Sequence, residues 1–272
     1  MKKDREGGLY FPFLRIDFLS ACLFYSMESY SQYYQDRIVN LALKGKKNGV
    51  FLDIGAHDGV TFSNTLYFER NKNWTGLCIE PIPDIFEQLK ANRNCALENC
   101  CILNSDRVVT FRSVSPPLDM LSGILEFFDQ EHIARIDDMV SKLTKEKGFQ
   151  DIPVPGKNIN GLLRKHNLYT IDYCSIDTEG AELSIVKSID FEKFNILSLT
   201  IENNKNRTEL KPFLKSLGYA CYSMGLDDLY IKGEYNRFVK IFTWLIKLKL
   251  ALPGMPRRLY DKYICRNKGL VP

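Results

Sequence analysis

The segment Val50-Phe51-Leu52-Asp53-Ile54, followed at once by Gly55-Ala56-His57-Asp58-Gly59, constrains this chain more than any other. A run that is apolar on both faces belongs inside a mostly parallel sheet covered by helices, not on a half-solvated one. Glycines directly after such a strand let the backbone approach a ligand closely, and the next helix offers free N–H groups there. The spacing is D-x-G-x-x-x-G, without the three glycines of a dinucleotide loop. An acid two residues before the first glycine is awkward for a diphosphate and suits a cationic ligand that bears an amino acid. Asp53, Gly55, Ala56, His57 and Gly59 are therefore candidate cofactor-binding residues.

Beyond this turn, short apolar runs alternate with helical stretches. Helices are predicted over 36–43, 60–71, 83–93, 158–166, 181–188 and 207–217, and strands over 75–80, 95–103, 171–177, 196–202, 219–223 and 228–232. Short strands at 108–114 and 123–128 flank Pro116-Pro117, so 104–155 reads as an irregular insertion. The count gives about seven strands in one sheet with helices on both sides.

Three further clusters fall at strand ends, where open α/β sheets bind ligands. Glu80, before Pro81, ends the second strand and can accept both hydroxyls of a ribose. In Ser175-Ile176-Asp177-Thr178-Glu179-Gly180-Ala181-Glu182, Asp177 and Glu179 leave their strand toward the same edge because alternate residues share a face. Two such carboxylates can serve as general base, hydroxyl anchor or divalent-metal ligands, or they can cap the next helix. Glu202-Asn203-Asn204 closes the last long strand and is a candidate substrate contact. His57, His132 and His166 are too dispersed for a metal set, and no Cys/His zinc spacing occurs, so no metal is assigned.

Charge separates the chain into unlike parts. Of the 37 basic and 33 acidic residues, nine basic ones and one acid lie in 237–272, so this tail carries +8 and the first 236 residues −4. A near-neutral body argues against nucleic acid as partner. In the tail, Arg237, Lys240, Thr243 and Lys247 recur on one narrow helical face beside a wide aromatic one, so peripheral membrane contact through 237–258 competes with packing on the domain. Eight scattered cysteines suggest free thiols in a reducing, cytoplasmic setting. The stretch 9–27 is largely apolar but carries Arg15 and Asp17, each costing roughly 2.5–3.5 kcal/mol at a bilayer centre, which disfavours a spanning helix.

The motifs SQYYQD, GVFLDIGAHDGVTFSNT, WTGLCIEP, MLSGIL, YCSIDTEGAELSIVKSIDF and IENN, in that order over Tyr30 to Lys232, resemble the FkbM-type S-adenosylmethionine-dependent methyltransferases. The resemblance implies an α/β class I methyltransferase (Rossmann-like) fold, a seven-stranded mostly parallel sheet with one antiparallel edge strand and helices on both faces. It implies O-methylation of a sugar, glycan or related hydroxyl with S-adenosyl-L-methionine as cofactor. Asp53, Gly55, Ala56 and Gly59 match the motif that lines the methionine end, Glu80 the ribose acid, and Asp177 and Glu179 the acidic motif beside the transferred methyl. One departure is Tyr34, which stands where the family's SQ-x-GQD commonly has glycine. The expected organisation is an extension (1–29), a methyltransferase domain (30–233) and a basic tail (234–272). A non-catalytic module on the same fold and a nicotinamide-dependent dehydrogenase remain the competing readings.

Overall fold

The computed structural model describes residues 28–143, 148–202, 207–224, 227–233 and 239. In chain order the elements begin with α1 (Gln35–Ala42), β1 (Val50–Ile54), α2 (Leu66–Lys72), β2 (Thr75–Ile79), α3 (Pro83–Asn92), β3 (Ala96–Glu98) and β4 (Cys101–Leu103). β5 (Arg107–Val114), β6 (Gly123–Ile124), α4 (Gln130–Leu143), β7 (Phe149–Asn158), α5 (Ile159–Lys165), β8 (Thr170–Ile171) and β9 (Tyr173–Ile176) follow. The chain continues with α6 (Glu182–Ser188), β10 (Asn195–Ile196), β11 (Ser198–Glu202), α7 (Arg207–Ser216), β12 (Tyr219–Ser223) and β13 (Asp227–Lys232).

The main sheet has the order β12-β13-β11-β9-β1-β2-β3. β1 is central, pairing in parallel with β2 and β9, which explains why its sequence is apolar on both faces apart from Asp53. β13 alone runs antiparallel, to β11 on one side and β12 on the other. It therefore lies one place in from the edge expected for it, because the hairpin from β12 folds it back beside β11. Alternation along β1 serves two cores. Leu52 and Ile54 join Leu162 and Leu163 of α5, Val186 of α6 and Leu214 of α7 on one face. Phe51 faces Ile38 and Val39 of α1, Phe68 of α2 and Leu89 of α3 on the other. Each fully buried side chain of this kind stabilises the fold by about 1.5–3 kcal/mol.

Three local expectations change. The helix predicted over 60–71 begins only at Leu66, because Asp58 Oδ1 accepts the N–H groups of Val60 (2.8 Å) and Thr61 (2.6 Å) and holds a loop instead. The strand predicted over 95–103 divides at Asn99, whose Nδ2 donates to the carbonyls of Glu80 (2.9 Å) and Pro81 (3.2 Å); β3 stays beside β2 and β4 leaves for a second sheet. The described part of the insertion is regular, contributing to a four-stranded sheet β4-β7-β5-β6 and forming the 14-residue helix α4. The expectations for 1–27, for Asn203 and Asn204, and for the basic tail apart from Val239 concern residues outside the described ones. Among the described residues no helix is long and apolar enough to cross a membrane.

Arg93, just past α3, fixes the loop between β1 and α2 from beneath. Its side chain is wholly buried; Nε donates to Glu69 Oε2 (2.7 Å), Nη2 to Thr65 Oγ1 (3.0 Å), and Nη1 to Gly59 O and Ser63 Oγ (both 3.3 Å). Thr65 Oγ1 in turn donates to Asp53 Oδ2 (2.6 Å), which lies 4.0 Å from Nη1. Removing one partner of a buried ionic network strands the others. Arg93→Met is therefore expected to cost about 3–5 kcal/mol, lowering the thermal midpoint by roughly 10 °C, and a melting curve like that of the wild type would contradict the network's role.

Candidate active site

The site forms where the carboxyl ends of β1, β2, β9 and β11 meet. Gly55 leaves β1 with φ +86°, and a Cβ there would lie 1.8 Å from the carbonyl oxygen of Asp177, so the crossing of these two turns requires glycine. Gly59 (φ +78°) faces Leu89 and Arg93, where a Cβ would approach to 2.6 Å, and is not among the residues that line the two cavities of the site.

Two contiguous cavities, of about 700 and 600 Å3 and open to solvent, share Gly55, His57, Met120 and Asp177 in their walls. The first is mainly apolar, with Ile79, Ile82, Ile102 and Ile124 around Glu80 and Pro81. The second is polar, with Gln32, Gln35, Asp53, Ala56, Glu202 and Asp227. Of the sequence candidates, Glu179 lines the first cavity as well.

Glu80 is buried and held by two main-chain donors, His57 N–H to Oε2 (3.0 Å) and Ile82 N–H to Oε1 (2.8 Å). Burial outweighs these bonds and pushes its carboxyl up to about 7. Burial likewise raises Asp53, against the opposing pull of Arg93 and Thr65. His57 takes a left-handed backbone (φ +51°), and its Nε2–H donates to Asp119 Oδ2 (3.0 Å) while Nδ1 stands 3.6 Å from Asp58 Oδ1. Burial opposes its charge, but the two carboxylates prevail and raise it to about 10, so the ring is an imidazolium at neutral pH.

At the other end, one oxygen each of Asp177, Glu179 and Glu202 lies within 4.8 Å of the others. Asp177 opens into the cavity yet is crowded by protein; desolvation and the charges of Glu179 and Asp227 drive it well above the usual carboxylate range. Glu202 is raised for the same reasons, with Asp177 the largest charge acting on it. Desolvation lifts Glu179 to about 7 despite Arg135. Glu182 plays the capping part instead, its Oε1 accepting the N–H groups of Thr178 and Gly180 (both 3.0 Å). A proton acceptor poised near neutrality is what general-base chemistry requires, and the same three oxygens are spaced as ligands of a divalent cation would be.

Several contributors were not read from sequence. Asp119 and Met120 come from the insertion. Gln35 Nε2 donates to Asp227 Oδ2 across 192 residues, clasping α1 to β13 beside the polar cavity. Asp36, wholly buried, gathers Ser29 Oγ (2.7 Å), Tyr30 N–H (2.8 Å) and Ser31 Oγ (2.8 Å), shaping the loop that brings Gln32 and Tyr33 to that cavity. SQYYQD carried this signal, but which of its residues face inward could not be read.

Sheet order, with the cavities at the carboxyl ends of the strands, is that of the class I methyltransferase fold. The family model of the methyltransferase FkbM domain matches residues 53–224, and the chain belongs to that family. No curated protein matches it. Among solved structures it is similar to the methyltransferase FkbM of Methylobacillus flagellatus KT, at 15% identity and a TM-score of 0.39 over 68% of this chain and 43% of that one. The precorrin-6y C5,15-methyltransferase of Geobacter metallireducens GS-15 is similar at 14% identity and a TM-score of 0.35, over 73% and 87%. The chain thus spans less than half of the FkbM structure.

The family implies S-adenosylmethionine, and the residues fit it: an apolar half beside a buried acid suits an adenosine, and a polar half rich in carboxylates suits a sulfonium and an ammonium. The raised carboxyls also set a pH dependence. A carboxyl whose pKa rises on folding adds no penalty below its unfolded value, near 4.5 for Glu179, and a growing one as pH climbs to about 7. Glu179→Gln, which copies the neutral form, is expected to stabilise the free protein at pH 8 by on the order of 2 kcal/mol and to have no effect near pH 4, as read from denaturation at both values.

Proposed function

We propose that this protein transfers the methyl group of S-adenosylmethionine to a hydroxyl oxygen of a small molecule or glycan. The observation that carries the reading is the convergence of three carboxylates where the two cavities meet, with Asp177 in the wall of both, Glu179 in that of the apolar cavity and Glu202 in that of the polar one. Bound there, the cofactor supplies a sulfonium-activated methyl group. Glu80 would hold the ribose hydroxyls, with its carboxylate already oriented by His57 N–H and Ile82 N–H. Asp53 and Asp227 would face the amino-acid end and its cationic groups, and Gln35 of α1 and Gln32 of the loop before it would close over it.

Asp177 would orient the acceptor hydroxyl and take its proton, with Glu179 as the second carboxylate. Raised basicity supports this assignment: burial and the neighbouring acids hold Asp177 well above the usual carboxylate range and burial lifts Glu179 to about 7, and a more basic carboxylate is a better acceptor for an alcohol proton. Placing the hydroxyl in line with the methyl supplies much of the remaining acceleration. A sugar-type acceptor agrees with a polar cavity lined by carboxylates and amides together with the hydroxyls of Thr61, Ser63 and Ser175, good partners for hydroxyl groups.

Calorimetry tests the cofactor site, with Glu80→Ala expected to weaken S-adenosylmethionine by about 10- to 100-fold, the loss of a charge-assisted pair of hydrogen bonds. Mass spectrometry of glycans and metabolites from cells with and without the protein should reveal a species heavier by one methylene. With that acceptor in hand, Asp177→Asn should cut turnover by at least about 100-fold while leaving cofactor affinity within a few-fold. Tight cofactor binding without any methylated product would favour a non-catalytic role.

A further inference from the structure

The segment 119–124 of the insertion is tied to its surroundings on three sides. Behind it, Ser122 Oγ accepts the N–H of Val114 of β5 (2.9 Å) while it closes the turn within the segment by donating to Asp119 O (2.5 Å), and Ile124 pairs with Phe111 of β5. Below it, a Cβ on Gly123 would stand 3.5 Å from the carbonyl of Glu179, so the segment rests on the acidic turn. In front, Asp119 Oδ2 accepts the hydrogen bond from His57 Nε2–H at 3.0 Å. Met120, the next residue, lines both cavities, whereas Ser122 and Ile124 line the apolar one. The main chain of the same His57 is one of the two donors that orient Glu80.

We propose that Asp119 is a positioning residue for the cofactor: through its ion pair with His57 it draws 119–124 across the apolar cavity as a roof and holds the glycine loop in the form that presents Glu80. The pair joins two parts of the chain 62 residues apart, at the point where both border the cavities. It bridges the sheet-end loop, which carries Glu80's donor, to an insertion that supplies apolar cover. Without it, the roof would keep its rear attachments to β5 and lose its front one. This inference rests on the cofactor reading given above, and the nature of the acceptor does not enter it.

The test uses the full chain and S-adenosylmethionine as the probe. Asp119→Asn and His57→Gln are each expected to weaken binding about 10-fold in calorimetry. The double variant should be no weaker than the worse single one, since both remove one interaction. Asp119→Glu, which keeps the charge, should recover most of the affinity. On the wild type, hydrogen exchange should show the amides of 119–124 and of 55–59 gaining protection when the cofactor is added. Unchanged affinity in Asp119→Asn, additive losses in the double variant, or no added protection over 119–124 would each overturn the proposal. A wild-type protein that fails to bind S-adenosylmethionine would instead remove the cofactor reading beneath it.

Discussion

The site depends on how closely the chain at Gly55 passes the main chain of Asp177. β1 and β9 are adjacent parallel strands with Ile54 opposite Ile176, so their carboxyl ends arrive at the same level. Both must then turn within one residue of each other, and the space left at Gly55 admits no side chain. This single crossing brings the glycine loop, which carries His57 and borders Glu80, against the turn that carries Asp177 and Glu179. A side chain at 55 would push the two ends apart and separate the cofactor half of the site from the reacting half.

The price of that convergence is electrostatic. Six carboxyls around the cavities, on Asp53, Glu80, Asp177, Glu179, Glu202 and Asp227, are all held above their ordinary range, with desolvation as the leading cause in each. Such groups oppose folding at neutral pH, and the fold offsets them elsewhere: Arg93 lies under Asp53, His57 beside Glu80, and Arg135 near Glu179. A cation bound among the acids would lower the same repulsion, which links ligand binding to stability. Function and stability thus draw on one set of charges in opposite directions.

Strand ends were legible in the sequence, and what lies over them was not. Asp53, Gly55, Glu80 and Asp177 stand out because each interrupts an apolar run where a buried strand must stop. Arg93 and Asp119 give no such signal, since a lone charge after a helix or near a proline pair usually faces solvent. Helix α4 had one: Ile133, Ile136, Val140 and Leu143 recur at helical spacing, but Pro116-Pro117 and the two prolines of β7 made the whole region read as irregular. Pro153 and Pro155 are tolerated because β7 has β5 as its one ladder neighbour there, β4 pairing only from Gly156 onward. Residues two apart send their N–H groups to the same edge, so one open edge absorbs both missing donors.

Tyr34 shows how a departure from a family pattern can preserve its geometry. The resemblance places glycine here, and the structure gives Tyr34 a left-handed backbone, φ 65° and ψ 25°, as the residue that caps α1. A side chain in that region costs about 1–2 kcal/mol. Tyr34 offsets the cost with contacts that glycine lacks: its ring lies 4.8 Å from the Arg37 guanidinium carbon and packs against the core beneath α1. Tyr34 is not among the residues that line the polar cavity, although its neighbours Gln32, Tyr33 and Gln35 are. The glycine of the pattern therefore serves the turn, not close approach to a ligand, and the substitution leaves Gln35 free to reach Asp227 and Asp36 to gather the loop.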